Sequence, residues 1–227
     1  ADAMLYGRPW IAPMTTTAEP SPFLLFMHIP KTAGTTMRTI VDAQYGRDAV
    51  LTYYNQPNSQ MLDNLPYMLM AKPDTYRALI GHFRFGVHTT LGRPSRYVTL
   101  LRDPVRRAVS EYFERRKTTA TRLEMTKSDG TVMSLDEVLD RNPELYANQQ
   151  VKYVAGLQPG LAARQEHLER ACCNIAEHFI AGTIEWFDES LAMLSRALGW
   201  VSCSYERHNV GDTGAPPPTA TALARLA

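Results

Sequence analysis

Cysteine is scarce in this chain of 227 residues, with only Cys172, Cys173 and Cys203. The three form neither a zinc spacing nor a dense disulfide framework. The adjacent pair falls within a helical pattern, where small apolar packing is expected of it. This usage fits a reducing, cytoplasmic compartment. Long apolar runs are also missing: none approaches the roughly 20 residues that span a bilayer. Residues 1–22 lack the basic start and apolar middle of a signal peptide. Neither charge sign is in excess. Lys and Arg number 24 against 23 Asp and Glu, a net +1, so a general polyanion-coating role is excluded and any anion site must be local. No nucleic-acid partner is expected. No His, Cys and Asp set has ligand spacing, so no metal is expected either. With 44% hydrophobic and 21% charged residues, the composition excludes disorder, collagen-like repeats and coiled coil. The length suits one domain.

The chain reads as three segments. Residues 1–22, with Pro9, Pro13, Pro20 and Pro22, form an N-terminal arm or linker. Residues 23–210 form the folded domain. Residues 211–227 form a flexible C-terminal segment in which Thr219–Ala227 looks like the first turns of a helix, so the natural chain is expected to continue. Within the domain, Phe23–His28, Ala49–Tyr53, Tyr76–Gly81, Tyr97–Leu101 and Phe179–Thr183 read as strands. Helical periods cover Thr35–Gln44, Gln60–Met70, Pro104 to about Lys117, Leu161–Glu177 and Asp188–Leu198, the last ending at Gly199. Thr118–Val132 is polar and reads as a mobile loop, and Ser134-Leu-Asp-Glu137 is a capping box opening another helix. Apolar strands alternating with helices predict an α/β fold with a central parallel sheet covered on both faces.

In such a sheet, ligands bind beyond the carboxyl ends of the strands. Two strand-to-helix junctions there carry unusual chemistry. In His28-Ile-Pro-Lys-Thr-Ala-Gly-Thr-Thr36 a buried strand ends, turns at Gly34 and opens a helix near Thr35. The helix start offers unpaired N–H groups and a positive dipole end, Lys31 adds a full charge, and Thr32, Thr35 and Thr36 add hydroxyls. The physics is that of a phosphate loop, although Lys precedes Gly and the Walker pattern is not matched. In Arg102-Asp-Pro-Val-Arg-Arg-Ala-Val-Ser-Glu-Tyr112, Arg102 sits where the next strand leaves the sheet. Ser110 lies six residues past Pro104, or roughly 9 Å along the helix. An Arg fork and a hydroxyl suit a second phosphate.

HIPKTAGTT and RDPVRRAVSEY together resemble the two nucleotide-binding signatures of the carbohydrate-type sulfotransferases, a group that includes heparan sulfate O-sulfotransferases and bacterial relatives. Further stretches are similar: Gly81–Gly86, Asn148–Gly156 and Gly182–Asp188. The resemblance implies 3′-phosphoadenosine 5′-phosphosulfate (PAPS) as donor, adenosine 3′,5′-bisphosphate as product, and a P-loop-like sheet. By position it implies that Lys31, Thr32, Ala33, Gly34, Thr35 and Thr36 cradle the 5′ end, while Arg102 and Ser110 hold the 3′-phosphate. The acceptor it implies is a hydroxyl, on a carbohydrate or a small-molecule alcohol.

Sulfuryl transfer needs the leaving oxygen neutralised, which falls to Lys31, and the acceptor proton removed. His82 ends an apolar strand at the same sheet edge, titrates near neutrality and is the candidate base; the resemblance to the heparan 2-O enzymes supports it. His88 is the runner-up. Glu111 and Glu114 are weaker candidates, since some sulfotransferases use Glu. His28 is expected to buttress the phosphate loop, and His167, His178 and His208 to be structural or superficial. Phe83, Phe85, Tyr112, Phe113, Tyr146 and Tyr153 are candidates for an acceptor cleft, although aromatics at such spacing are more often core. Arg84, Arg115, Arg116 and Lys117 are candidates for attracting an acidic sugar. Two other readings stand beside this one: a P-loop-type kinase acting with Mg-ATP, and a nucleotide-binding module without catalysis. Relatives usually carry basic residues after the stretch matching Arg207–Val210, whereas Gly211–Leu223 has no Lys or Arg, which puts closure over the nucleotide in question.

Overall fold

A computed structural model describes residues 22–54, 60–201, 203–206 and 218–226. The arm (residues 1–21) and the closing segment (residues 207–217) lie outside the described residues.

Phe23–Met27 (β1) is apolar at every position and all five side chains are buried, as a strand covered on both faces requires. Four further strands join it in one parallel sheet: Val50–Tyr53 (β2), Ala78–Gly81 (β3), Ser95–Leu101 (β4) and Phe179–Thr183 (β5), in the order β2-β3-β1-β4-β5. Side-chain alternation divides the core in two. Phe23, Leu25 and Met27 pack with Leu79 and Tyr97 against Gln60–Ala71 (α2), Gln149–Val154 (α6) and Gln165–His178 (α7). Leu24 and Phe26 pack with Ile80, Val98 and Leu100 against Gly34–Tyr45 (α1) and Phe187–Leu198 (α8).

A third apolar cluster joins Pro104–Lys117 (α3) to Leu135–Arg141 (α5) and Ala220–Leu226 (α9) through Ala108, Tyr112, Leu135, Val138 and Ala222. Asp103 caps α3 as its motif predicts, its carboxylate accepting from the Arg106 N–H at 2.8 Å. The capping box at Ser134 and Glu137 is formed, and Gly199 ends α8 in the left-handed region, φ 69°.

Three expectations need correction. Thr118–Val132 is not a featureless loop: Thr119–Glu124 forms a short helix (α4), and Thr126 and Val132 form an antiparallel bridge. Arg115 holds α4 by an ion pair to Glu124, 2.7 Å. Cys172 and Cys173 do not pack inside; both are exposed, on the solvent side of α7. That helix begins at Gln165, four residues later than its period implies.

Candidate active site

The strand order places the site. The chain moves from β1 to β2 and β3 on one side, then crosses to β4 and β5 on the other. The segments leaving β1 and β4 therefore diverge at adjacent strand tips and open a crevice between them. A cavity of about 750 Å³ occupies it, lined by His28, Lys31, Ala33–Thr36, His82, Arg102, Ser110, Glu111 and Glu114, among others.

The β1 segment turns tightly. Lys31 (φ 72°) and Ala33 (φ 60°) both adopt the left-handed region, an uncommon state for residues with a Cβ and one that clusters at ligand-binding sites. Thr32 locks this turn: it is 1% exposed, and its hydroxyl donates to the Ile29 carbonyl at 2.8 Å. Its side chain is therefore turned away from the cavity, unlike Thr35 and Thr36, which line it. Gly34 is required by close approach, since a Cβ there would lie 1.9 Å from the His28 ring. His28 is the buttress of the loop.

Register brings the histidines together. Met27 pairs with Gly81, so His28 and His82 leave the sheet side by side, their ring centroids 4.6 Å apart. Tyr53 lies beside Gly81 in turn, which delivers Tyr54 to the same cluster, its hydroxyl 3.2 Å from His28 Nδ1. Burial, then the neighbouring His82 and Lys31 charges, push the His28 pKa down to about 3, so it stays neutral. His82 Nδ1 lies 2.7 Å from the His28 carbonyl. A carbonyl only accepts, so Nδ1 carries the proton and Nε2 keeps its lone pair. Burial lowers the His82 pKa, partly offset by that hydrogen bond and by the Glu111 carboxylate. The imidazole is thus a neutral base at pH 7.

Arg102 ties the two tips: its Nη1 donates to the Lys31 carbonyl at 3.2 Å. Its Nε is buried with no hydrogen-bond partner among the described residues, and burial lowers its pKa. A half-buried cation with an unused donor fits an anionic ligand. Lys31 Nζ lies 3.3 Å from Glu114 Oε2. Glu111 is paired with the buried Arg107.

Of the residues expected at the site, the cavity gathers Lys31, Ala33, Gly34, Thr35, Thr36, His82, Arg102, Ser110, Glu111, Glu114 and Arg115. His88 is elsewhere: its Nδ1 lies 3.0 Å from the Tyr97 hydroxyl, and its ring contacts Phe85 and His178. Phe83, Tyr112 and Tyr146 are core, and none of the six candidate aromatics lines this cavity. Sequence reasoning missed Thr118, Thr121 and Ile184 in the cavity lining, Tyr54, which bonds His28 beside it, and Gln150, which binds the Arg102 backbone. Strand register is the signal that reveals Tyr54. Among the described residues, no group of three or more His, Cys, Asp or Glu could hold a metal ion, and no helix is long and apolar enough to cross a membrane.

The model of a family described as the sulfotransferase family matches residues 14–158, more than half of the chain. No curated protein matches the sequence significantly. Among solved structures, mouse sulfotransferase SULT7A1 complexed with PAP is similar in fold, with a TM-score of 0.50 at 12% identity. The match covers 80% of this chain and 59% of that one, so the chain spans about three-fifths of that protein's length.

Proposed function

The chain belongs to the sulfotransferase family, and we propose that residues 23–210 transfer a sulfuryl group from PAPS to an acceptor hydroxyl. The observation that carries this reading is the Arg102–Lys31 contact of 3.2 Å, which joins two cationic strand tips across one cavity. A donor phosphorylated on both its 3′ and 5′ oxygens needs a cationic group from each tip in one cavity, and Lys31 and Arg102 both line this one. The similar mouse enzyme was solved with PAP, which supports the same nucleotide here.

The donor supplies an activated sulfuryl group on its 5′-phosphate. Lys31 and the α1 N-terminus, with the Thr35 and Thr36 hydroxyls, neutralise charge gathering on the 5′-phosphate as the sulfuryl group leaves. Arg102 and Ser110 hold the 3′-phosphate and fix the nucleotide's orientation. His82 Nε2 takes the proton of the acceptor hydroxyl, and the His28 carbonyl holds the tautomer that makes this possible. The resulting imidazolium is favoured by the same carbonyl and by the Glu111 carboxylate. Thr32 and Ala33 shape the loop rather than bind through their side chains.

The motifs HIPKTAGTT and RDPVRRAVSEY support the carbohydrate-type subgroup, with a sugar or small-molecule alcohol as acceptor. Incubation with radiolabelled PAPS and a panel of neutral glycosides, acidic glycans and simple alcohols tests the proposal. Label transferred to at least one hydroxyl, and lost in Lys31→Ala, is the expected result. No label transferred from PAPS, with phosphoryl transfer from γ-labelled Mg-ATP in a parallel reaction, would favour a kinase.

A further inference from the structure

We infer that Gln150, on α6, is a positioning residue that makes the site selective for a 3′-phosphorylated nucleotide, an inference that rests on the assignment of Arg102 to the 3′-phosphate. At its C-terminal end β4 runs out of partners. Leu101 pairs with Thr183, the last residue of β5. Arg102 follows with no strand beside it, and its backbone N–H and C=O need partners from elsewhere. Gln150 supplies both: the Arg102 N–H donates to Gln150 Oε1 at 2.8 Å, and Gln150 Nε2 donates to the Arg102 carbonyl at 2.7 Å. A primary amide presents a donor and an acceptor in one plane, so it can stand in for one residue of a neighbouring strand.

The clamp is itself fixed. Asn148 adopts the left-handed region (φ 53°) at the start of α6, and Gln149 Nε2 donates to the Leu145 carbonyl at 2.9 Å. Lys152, 6% exposed, reaches the Glu144 carboxylate at 3.1 Å, and Val154 is buried in the core against β1. Residue 102 is therefore held at its backbone by Gln150 and at its guanidinium by the Lys31 carbonyl. With both points fixed, the guanidinium is held at the cavity with its Nε unpartnered among the described residues. Without Gln150, two partly buried backbone groups lose their partners and the guanidinium loses one of its anchors.

The test compares calorimetric affinities for adenosine 3′,5′-bisphosphate and adenosine 5′-monophosphate in wild type, Gln150→Ala, Gln150→Met and Arg102→Ala. Gln150→Met keeps the side-chain length and guards against misfolding, and thermal melting checks both variants. Wild type should prefer the bisphosphate. Losing two neutral hydrogen bonds that act through Arg102 should weaken the bisphosphate about tenfold, while the monophosphate changes less than about twofold. Bisphosphate affinity unchanged in a folded Gln150 variant would overturn the inference, as would equal losses for both nucleotides. A wild type that binds the two nucleotides equally would instead overturn the assignment of Arg102, and the inference with it; Arg102→Ala identifies that case by leaving the preference unaltered.

Discussion

Acidification should destabilise this fold, chiefly through the buried imidazole of His28. His28 is neutral in the folded protein because burial and its cationic neighbours hold its pKa at about 3. In the unfolded chain it titrates near 6.5. Between those values the unfolded state binds a proton that the folded state refuses, so stability is complete above pH 6.5 and falls with pH below it. At pH 5.5, one unit under the unfolded value, the loss from His28 is about 1.4 kcal/mol relative to pH 7.5. For a chain of this size that corresponds to a fall in melting temperature of roughly 3–6 °C. His82 shifts in the same direction and adds to the wild-type slope. Urea unfolding at pH 7.5, 6.5 and 5.5 in wild type and His28→Gln isolates the His28 contribution. The variant should be less stable at neutral pH, because it replaces the ring packed on Gly34, yet show a shallower pH dependence. Identical slopes in the two proteins would refute the buried-neutral assignment.

Other outcomes follow from the same geometry. Lys31→Ala should lower transfer by about 10²–10³-fold, the usual effect of removing a group that stabilises developing negative charge. Its melting should hardly change, because its partly exposed pair with Glu114 contributes little; full turnover in this variant would remove Lys31 from the mechanism. The kcat/KM profile should rise with pH through a midpoint below 6.5, where His82 loses its proton, and then level off. His82→Ala should erase that limb and cost about 10²–10⁴-fold, whereas a surviving limb would place the base elsewhere. Gly34→Ala drives a methyl into the His28 ring and should cost about 1–3 kcal/mol of stability while weakening bisphosphate binding. Wild-type melting in that variant would contradict the close approach.

Much of this architecture is written locally. The β1 run of five apolar residues, the Asp103-Pro104 helix start and the Ser134–Glu137 box each specify an element from neighbouring residues alone, and each forms as its pattern predicts. The misread segment, Thr118–Val132, is organised by an ion pair and a short bridge rather than by an apolar period. Long-range partners are equally silent in one dimension. Gln150 lies 48 residues from the Arg102 it holds, and nothing in its neighbours marks it as a clamp. Thr32 looked like a phosphate donor because its type and place were right. Its hydroxyl instead closes the turn, since the two left-handed residues flanking it point the side chain inward.

The near-zero net charge and a polyanion site are reconciled by how the local cations are held before the nucleotide arrives. Lys31 is paired with Glu114, Arg107 with Glu111 and Arg115 with Glu124. Arg107 is 1% exposed and bonded also to the Tyr146 carbonyl, so its pair is structural and stays closed. The Lys31–Glu114 pair is different: Glu114 is 52% exposed, and such a pair is screened and weak. On the proposed assignment, an incoming 5′-phosphate would take Lys31 from Glu114 at small cost, while Arg102, whose Nε has no hydrogen-bond partner among the described residues, would meet the 3′-phosphate under the weaker pull of the Glu185 and Asp103 charges. The site thus gathers Lys31 and Arg102 in one cavity, instead of spreading positive charge over the surface. Donor binding should consequently depend only modestly on salt, because few exposed ions are exchanged. On the proposed mechanism Glu114, freed of Lys31, would stay in the cavity that His82 also lines, where its negative charge would favour the imidazolium that forms as the proton is taken.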